Sequence, residues 1–375
     1  MSAQVPFNDL SRLSENVRNK VLAKTSEVIS SGNYVLGPEV EKFEVELSSY
    51  LGTLESVGVA TGTDAIILSL LAAGVVPGDV VLTMANAGAY TTVAARAIGA
   101  EPIFIDVSSE SLQMTFENMQ ASLAIAKGAS LIPKAVVVTH LFGQLNSDIS
   151  KIAQLCREEG LVLIEDCAQA IGSSDGLKMA GNFGSLSTFS FFPTKNLGAS
   201  GDAGAVSGTN LGMLSKVRRL RQYGWGSKYS IDLPFGRNSR LDEIQAAILR
   251  IKLPYVPSWN QKRRDIYSRY QSAASKHVKL YSLPDESFVG HLCPLTVEGF
   301  SQKQLLDFFA SKAISASVHF PVPDHLQQIE LKFRDLVPLP ETEKSCANLV
   351  TVPIFPELTE LEIQKVCDAL GELGK

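Results

Sequence analysis

Residues Ser187 to Gly198 read Ser-Thr-Phe-Ser-Phe-Phe-Pro-Thr-Lys-Asn-Leu-Gly, a strand-like run that ends at a proline and is followed by a lysine. Within it, Ser190 and Lys195 lie five positions apart. A hydroxyl group in such a place can bind a phosphate, and a lysine whose pKa is lowered by desolvation can form an imine with an aldehyde. Most lysines are solvated surface charges, but the apolar neighbours of Lys195 favour a functional role.

Short runs rich in Val and Ile precede this stretch and alternate with segments of helical period. Between two of the runs, Ile149, Ile152, Ala153 and Cys156 fall at positions i, i+3, i+4 and i+7, which predicts an amphipathic helix. The alternation is typical of an α/β protein with a doubly wound, mostly parallel sheet covered by helices on both faces. The predicted strands are Ser56–Thr61, Val80–Met84, Pro102–Val107, Ala135–Thr139 and Leu161–Glu165.

The pattern changes near residue 250. A charged helical stretch runs from Trp259 to about Ser275, short strands follow, and a terminal helix is expected around Glu360 to Leu370. Because a single hydrophobic core stops growing near roughly 250 residues, a chain of 375 residues favours two domains. We predict a large domain over residues 1–250 and a smaller α+β domain over residues 251–375.

The composition is that of a compactly folded protein, with 45% hydrophobic and 19% charged residues. A net charge of -5 without a long basic run argues against nucleic acid or an anionic membrane as the main partner, although small anions remain suitable ligands. No apolar run reaches membrane-spanning length and the first ten residues lack a signal-peptide pattern, so we expect a cytoplasmic protein. The five cysteines are too widely spaced for a CxxC site, and we expect no metal.

Two strand ends carry residues suited to a charged ligand. Asp166 ends the run Leu161–Asp166, and ligands of open α/β sheets bind at the carboxyl ends of strands. A shielded carboxylate there can keep a pyridine nitrogen protonated, although for this residue taken alone an N-cap of the next segment is the favoured interpretation. Gly62 and Thr63 begin a helix after another strand, where free N–H groups suit a phosphate, although many such turns serve packing alone.

At this point several ordered motifs resemble one family. The sequence resembles the sugar aminotransferases of the DegT/DnrJ/EryC1/StrS family, which implies the fold-type I, aspartate aminotransferase-like architecture of pyridoxal-phosphate (PLP)-dependent transferases, with a seven-stranded, mostly parallel sheet. The resemblance covers nearly the whole chain. The matching stretches are Ser31–Val40 with Phe43-Glu44, Thr61–Ala65, His140–Gln144, Glu165–Ala170, Ser187–Gly198 with Gly201–Val206, and Gly236–Ala247.

The resemblance assigns roles around a PLP ring. It implies that Lys195 forms the Schiff base and moves protons between cofactor and substrate, and that Asp166 pairs with the pyridinium nitrogen. Gln169 would lie near the ring hydroxyl and Tyr90 would stack on the ring face. Tyr90 could instead be a core aromatic residue and Gln169 a surface amide. The loop Met84–Tyr90 departs from the family pattern, so the assignment of Tyr90 depends on spacing.

The phosphate site implied by the resemblance uses two chains. Gly62, Thr63 and Ser190 would hold the phosphate, and Asn238 would reach the phosphate of a neighbouring subunit, which requires a homodimer. Asn238 could instead be an ordinary turn residue of a Gly-rich loop. Ala203 replaces a glycine that is frequent in the family, which is a mild change. Members that carry histidine in place of the lysine are sugar dehydratases, so Lys195 favours amino transfer.

The C-terminal part indicates a substrate. Ser317–Gln327 resembles a segment of members that aminate carbon 3 of dTDP-3-keto-6-deoxyhexoses, which implies that His319 and His325 lie at the sugar or nucleotide end of the cleft. His291 and the pair Lys228-Tyr229 occupy further family-like positions for substrate contacts. A lone histidine is as often a structural residue, so both interpretations stay open for each of them.

The resulting hypothesis is a PLP-dependent transaminase that cycles through pyridoxamine phosphate (PMP). L-Glutamate would supply the amine, and a nucleotide-linked keto-sugar, a dTDP-3-keto-6-deoxyhexose aminated at carbon 3, would receive it. Two alternatives remain. The first is the same chemistry on a 4-keto nucleotide sugar or a keto-inositol, and the second is a non-catalytic PLP-binding regulator. The intact set of Lys195, Asp166 and Ser190 weighs against the regulator.

Overall fold

The computed structural model describes residues 4–374, so the outermost ends of both predicted domains, residues 1–3 and 375, lie outside the described residues. The strands are β1 (Glu55–Val59), β2 (Val80–Met84), β3 (Glu101–Ile105), β4 (Pro133–Thr139), β5 (Val162–Asp166), β6 (Leu186–Ser190), β7 (Gly204–Gly208), β8 (Trp225–Ser227), β9 (Ser230–Ile231), β10 (Val278–Leu280), β11 (Cys293–Val297) and β12 (Val350–Val352).

Helices follow most of these strands. They are α1 (Glu15–Ser31), α2 (Pro38–Leu51), α3 (Gly62–Ala72), α4 (Tyr90–Ala97), α5 (Phe116–Gly128), α6 (Ile149–Glu159), α7 (Leu211–Leu220), α8 (Glu243–Lys252), α9 (Val256–Ala273), α10 (Gln302–Ser311), α11 (Pro340–Asn348) and α12 (Glu360–Glu372). Short 3-10 turns lie at Leu10–Arg12, Leu141–Gly143, Leu253–Tyr255 and Asp324–Leu326. Among the described residues, no helix is both long and apolar enough to cross a membrane.

Seven strands form one sheet in the order β1-β7-β6-β5-β4-β2-β3. Strand β7 runs antiparallel to both of its neighbours, and the other pairs are parallel. The mostly parallel seven-stranded sheet predicted from the sequence is therefore confirmed. The amphipathic helix predicted around Ile152 is also present, as α6, and its apolar positions are buried.

The apolar character of the central strands follows from their burial on both faces. In β4, Val136 and Val138 belong to one buried cluster, whereas Ala135 and Val137 belong to the cluster on the opposite side. Side chains of a strand alternate between the two faces, and here both faces are covered by helices. The strand therefore reads as a continuous run of valines rather than as alternating polar and apolar residues.

A second, antiparallel sheet of three strands lies in the C-terminal part, in the order β10-β11-β12. It has its own buried cluster, in which Tyr267, Tyr270 and Phe309 are among the largest members. Val5 also belongs to this cluster, because the N-terminal segment pairs with Ile314. The domain boundary predicted after residue 250 falls inside α8 and stays a prediction.

Candidate active site

A cavity of about 580 Å³ lies at the carboxyl edge of the large sheet. Parallel strands β4, β5 and β6 end side by side, with Thr139 paired in register with Asp166. Their common direction brings the ends of all three strands to one place. Nine of the thirteen predicted site residues line this cavity: Gly62, Thr63, Tyr90, Asp166, Gln169, Ser190, Lys195, His291 and His319.

Lys195 follows β6 through a tight turn, in which its own N–H donates to Phe192 O at 2.8 Å. The turn directs the side chain into the cavity instead of outward to bulk water. Desolvation by the cavity walls lowers the pKa of the Lys195 amine to about 8, although the nearby Asp166 carboxylate opposes this shift. About a tenth of the amine is therefore neutral at pH 7 and able to act as a nucleophile.

Asp166 is only 4% exposed, at the last position of β5. Burial raises the pKa of its carboxyl, while hydrogen bonds from the Ala168 N–H (3.0 Å) and the Thr139 hydroxyl (3.3 Å), together with the charge of Lys195, act in the opposite direction. A cationic nitrogen beside it would favour the ionised form. No helix starts at Cys167 in the structure, so the alternative role of Asp166 as a helix N-cap does not apply.

The start of α3 offers an anion site. Thr61 caps the helix by accepting from the Asp64 N–H, and within residues 4–374 the N–H groups of Gly62 and Thr63 have no hydrogen-bond partner. A Cβ on residue 62 would lie 2.6 Å from Ser190 Cβ, so only glycine permits this close approach. The N–H groups, the helix dipole and the Ser190 hydroxyl converge on one wall of the cavity.

Tyr90 and Gln169 form two further parts of the wall. Tyr90 is the first residue of α4, and its ring meets Phe320 edge to face at 6.1 Å. Gln169 accepts a hydrogen bond from the Phe142 N–H through Oε1 at 2.6 Å. This bond fixes the amide, so its NH₂ group remains available as a donor toward the cavity.

Two histidines form the wall nearest to the C-terminal part. His291 Nδ1 lies 3.1 Å from Asn196 Oδ1, and His319 Nδ1 lies 2.8 Å from Thr351 Oγ1. Burial lowers the pKa of His291 well below its usual range, and burial with the charge of Lys195 lowers the pKa of His319 to about 4. Both rings are therefore neutral at physiological pH.

His325 is not among the residues that line this cavity, and its assignment to the substrate end of the cleft stays a prediction. Its ring is buried, packs against Phe104 at 6.1 Å and bonds Glu343 through Nε2 at 3.1 Å. The preceding residue, Asp324, instead binds the start of α4. Neighbouring residues of this turn thus point in different directions.

Three other predicted residues also lie outside this cavity. Lys228 and Tyr229 occupy the turn of the β8-β9 hairpin, where Tyr229 is 78% exposed and its ring contacts Trp225. Asn238 lies in an exposed loop and pairs with Gln222. One chain by itself therefore does not bring these three side chains to Lys195.

Sequence reasoning missed several lining residues, among them Thr139, Asp202, Phe320, Phe7 and Asn8. Thr139 could have been found, because it ends the strand next to Asp166. No local pattern marks Phe7 and Asn8, which reach the cavity because Val5 pairs with residues 313 and 315.

Behind the cavity, His140, Glu165 and Cys167 form a buried group whose potential metal-ligand atoms lie within 4.8 Å of one another. Hydrogen bonds already account for the ligand atoms of His140 and Glu165. Glu165 accepts from the N–H groups of residues 181, 183 and 184, and His140 Nδ1 accepts from the Asn146 N–H while Nε2 faces Glu165. The group therefore holds the loop after β5 in place and has no free lone pair on the histidine for a metal.

Fold and site together are those of a fold-type I aminotransferase. The chain belongs to the DegT/DnrJ/EryC1/StrS aminotransferase family, whose sequence profile matches residues 15–371. It is 35% identical to the Pleiotropic regulatory protein of Geobacillus stearothermophilus over 98% of both chains. It is 34% identical to the dTDP-3-amino-3,4,6-trideoxy-alpha-D-glucose transaminase of Streptomyces venezuelae, over 98% of this chain and 96% of that protein.

Among solved structures, NtdA from Bacillus subtilis with bound cofactor PMP is similar, with a TM-score of 0.89 at 29% identity, over 99% of this chain and 85% of that one. The family, the fold class and the enzyme class expected from the sequence are confirmed. The protein is a PLP-dependent aminotransferase.

Proposed function

We propose that this aminotransferase moves an amino group from L-glutamate to a nucleotide-linked keto-sugar, and that the amine is added at carbon 3 of a dTDP-3-keto-6-deoxyhexose. The observation that carries the proposal is the convergence of Lys195, Asp166 and the start of α3 on one cavity. The Streptomyces relative, which is named for a 3-amino dTDP-sugar, supports the choice of sugar. The sequence of residues 317–327 supports it as well.

The lining residues fit the cofactor. Unpartnered N–H groups of Gly62 and Thr63 suit its phosphate, together with the Ser190 hydroxyl. Asp166 would hold the ring nitrogen protonated, the Gln169 NH₂ group would face the ring hydroxyl, and Tyr90 would cover the ring face. When bound, PLP supplies an electron sink for the pair of electrons left after a proton is removed from the substrate carbon.

In this proposal Lys195 performs both the covalent attachment and the proton transfer. Its pKa of about 8 leaves a useful fraction of neutral amine, which can attack the cofactor aldehyde. With its amine free, Lys195 Nζ would take a proton from the substrate carbon and deliver it to the cofactor carbon on the other side of the nitrogen. Walls formed by Phe320, Leu292 and Ile354 limit the access of water to this transfer.

A homodimer would complete the site. Asn238, Lys228 and Tyr229 all lie on the surface segment around β8 and β9, away from the cavity of their own chain. We assign Asn238 to the cofactor phosphate of a partner subunit, and the Lys228-Tyr229 turn to its substrate. Each cavity would then be closed by a neighbouring chain.

Purified protein loaded with PLP tests the proposal. Addition of L-glutamate should convert the cofactor spectrum to that of PMP and release 2-oxoglutarate. Subsequent addition of dTDP-3-keto-6-deoxyglucose should restore the PLP spectrum and give an aminated sugar in the mass spectrum. Parallel reactions with 4-keto dTDP-sugars, UDP- and GDP-keto-sugars and a keto-inositol rank the alternatives.

The non-catalytic regulator is the second candidate, since one relative at 35% identity is named a regulatory protein. A regulator would bind PLP and give no aminated product with any ketone of the panel. Lys195→Ala is the matched control, because it removes the reacting amine and leaves the other lining residues in place. Amination by the wild type but not by this variant supports the enzyme, whereas no product from either overturns the proposed function.

A further inference from the structure

The histidine at position 291 has one ring nitrogen tied to the protein and the other facing the cavity. Nδ1 lies 3.1 Å from Asn196 Oδ1, whereas within residues 4–374 Nε2 has no hydrogen-bond partner. Which nitrogen carries the proton decides whether the cavity is offered a donor or an acceptor.

Two buried, hydrogen-bonded amides, Asn260 and Asn196, determine which ring nitrogen of His291 carries the hydrogen. Peptide carbonyls only accept, so the bond between Ile171 O and Asn260 (2.9 Å) must come from the Asn260 NH₂ group. Asn260 Oδ1 therefore faces Asn196, whose NH₂ group donates to it at 2.9 Å and to Val289 O at 2.8 Å. The atom that Asn196 presents to His291 is then its carbonyl oxygen, an acceptor, and His291 Nδ1 must carry the hydrogen.

Burial and neighbouring charges keep the ring neutral. Burial, followed by the positive charges of Lys195 and Arg263, lowers the pKa of His291 well below its usual range. Arg263 is itself buried and holds the backbone next to the ring by donating to Gly290 O at 3.0 Å and Ile354 O at 2.6 Å. A neutral ring with hydrogen on Nδ1 has a lone pair on Nε2.

His319 has a similar arrangement. The Thr351 hydroxyl donates to Ser317 O at 3.1 Å, and a peptide carbonyl only accepts. The Thr351 oxygen therefore accepts from His319, so the ring hydrogen of His319 also lies on Nδ1. Both cavity histidines thus have a tautomer set by their protein partners, and that of His291 is set by two linked buried amides.

Building on the proposed function, we propose that His291 Nε2 is a permanent hydrogen-bond acceptor that selects a hydroxyl group of the sugar, held in this state by Asn196 and Asn260. Such a lone pair attracts an O–H donor and repels a carboxylate oxygen. His291 therefore discriminates between the two molecules that must use the same cavity in turn. It favours the hydroxyl-bearing sugar and adds nothing for the amino acid donor.

The tautomer is tested without turnover. Protein labelled with ¹⁵N in its histidine side chains, loaded with PLP and sedimented for solid-state NMR, should show His291 with a protonated Nδ1 and an unprotonated Nε2 from pH 6 to pH 8. The His291→Asn variant assigns the signals. Asn196→Ala should give a mixture of both tautomers. A proton on Nε2, or on both nitrogens, in the wild type overturns the inference.

The selectivity is tested by comparing two amino donors. For each donor, the rate at which the PLP form is converted to the PMP form is measured. PLP-loaded protein is converted to the PMP form either by L-glutamate or by dTDP-3-amino-3,6-dideoxyglucose. This aminosugar is the product of the proposed reaction and serves here as the amino donor of the reverse reaction. His291→Asn keeps a donor toward Asn196 but has no atom at the Nε2 position. We expect His291→Asn to slow the reaction with the aminosugar by about 3- to 10-fold, which is the effect of one neutral hydrogen bond. The reaction with glutamate should slow by less than about twofold.

If His291→Asn lowers the rate equally with both donors, or does not lower the rate with the aminosugar, the proposed selectivity is overturned. His277→Asn, outside the cavity, is the matched control and should change neither rate. If the wild type reacts with glutamate but with no sugar, the proposed function fails, and the NMR result still decides the tautomer. A failure of the inference with an active wild type leaves the proposed function intact.

Discussion

Asp324 is the acid whose ionisation should be most visible in the stability of this protein. The carboxylate is 1% exposed and accepts hydrogen bonds from the Ala89 N–H at 2.9 Å and the Thr92 hydroxyl at 2.6 Å. It therefore connects the C-terminal part to the start of α4, where Tyr90 lines the cavity. Burial outweighs both hydrogen bonds and raises the pKa of Asp324 to about 7.

The size of the effect follows from this pKa. Because the folded protein holds the proton up to about pH 7 and the unfolded chain loses it near pH 4, the free energy of unfolding falls as the pH rises through this window. At 1.36 kcal/mol per pKa unit, the complete effect is about 4 kcal/mol, of which about 2 kcal/mol lies between pH 5.5 and pH 8. Asp324→Asn cannot ionise and keeps an acceptor for Ala89, so it should lose this pH dependence.

Urea unfolding of the wild type and of Asp324→Asn at pH 5.5 and pH 8 measures the difference. The free energy of unfolding of the variant, relative to the wild type, should increase by about 2 kcal/mol between the two pH values. Asp335→Asn is the matched control, since Asp335 is exposed, and should show no such change. A relative stability of Asp324→Asn that is the same at both pH values would refute the reasoning, because it would mean that Asp324 does not change its ionisation between pH 5.5 and pH 8.

Three further predictions concern the cofactor site. The rate of covalent PLP capture by the apo-protein, followed by stopped-flow absorbance, should rise about tenfold from pH 6 to pH 7 and level off above pH 8, because the neutral Lys195 amine reacts; a flat profile would contradict the lowered pKa. Asp166→Asn should reduce kcat/KM by about 10² to 10³-fold with PLP still bound, since the ring nitrogen loses its charged partner; near-normal turnover would exclude that pairing. Gly62→Ala should weaken PLP retention during dialysis, because the new Cβ meets Ser190, whereas Gly128→Ala, which has open space, should not.

Much of the site could be predicted because its residues lie within a few positions of strand ends. Asp166 ends β5 and Lys195 follows β6, and both strands were visible as apolar runs or as a family motif. Parallel strands share one carboxyl edge, so residues at their ends must meet. The same reasoning would have found Thr139, which ends the neighbouring strand.

Other parts of the site could not be read from a local pattern. The turn at residues 324–326 has no regular period, so the sequence does not reveal that His325 faces Glu343 while Asp324 faces α4. Phe7 and Asn8 reach the cavity only because the segment before them pairs with the segment after α10, which is far away in the sequence. Such contacts depend on how distant segments pack.

The amino-acid sequence by itself thus determined the sheet, the lysine, its buried carboxylate and the anion-binding start of α3, because hydrophobic periodicity and strand direction are local properties. Only the tertiary structure decided what each cavity-facing atom offers to a ligand. His291 shows this most clearly, because its tautomer depends on the backbone carbonyls of Val289, two positions before it, and of Ile171, which is far from both in the sequence. Hydrogen-bond donors and acceptors are assigned by their partners, and the partners meet only when the chain is folded.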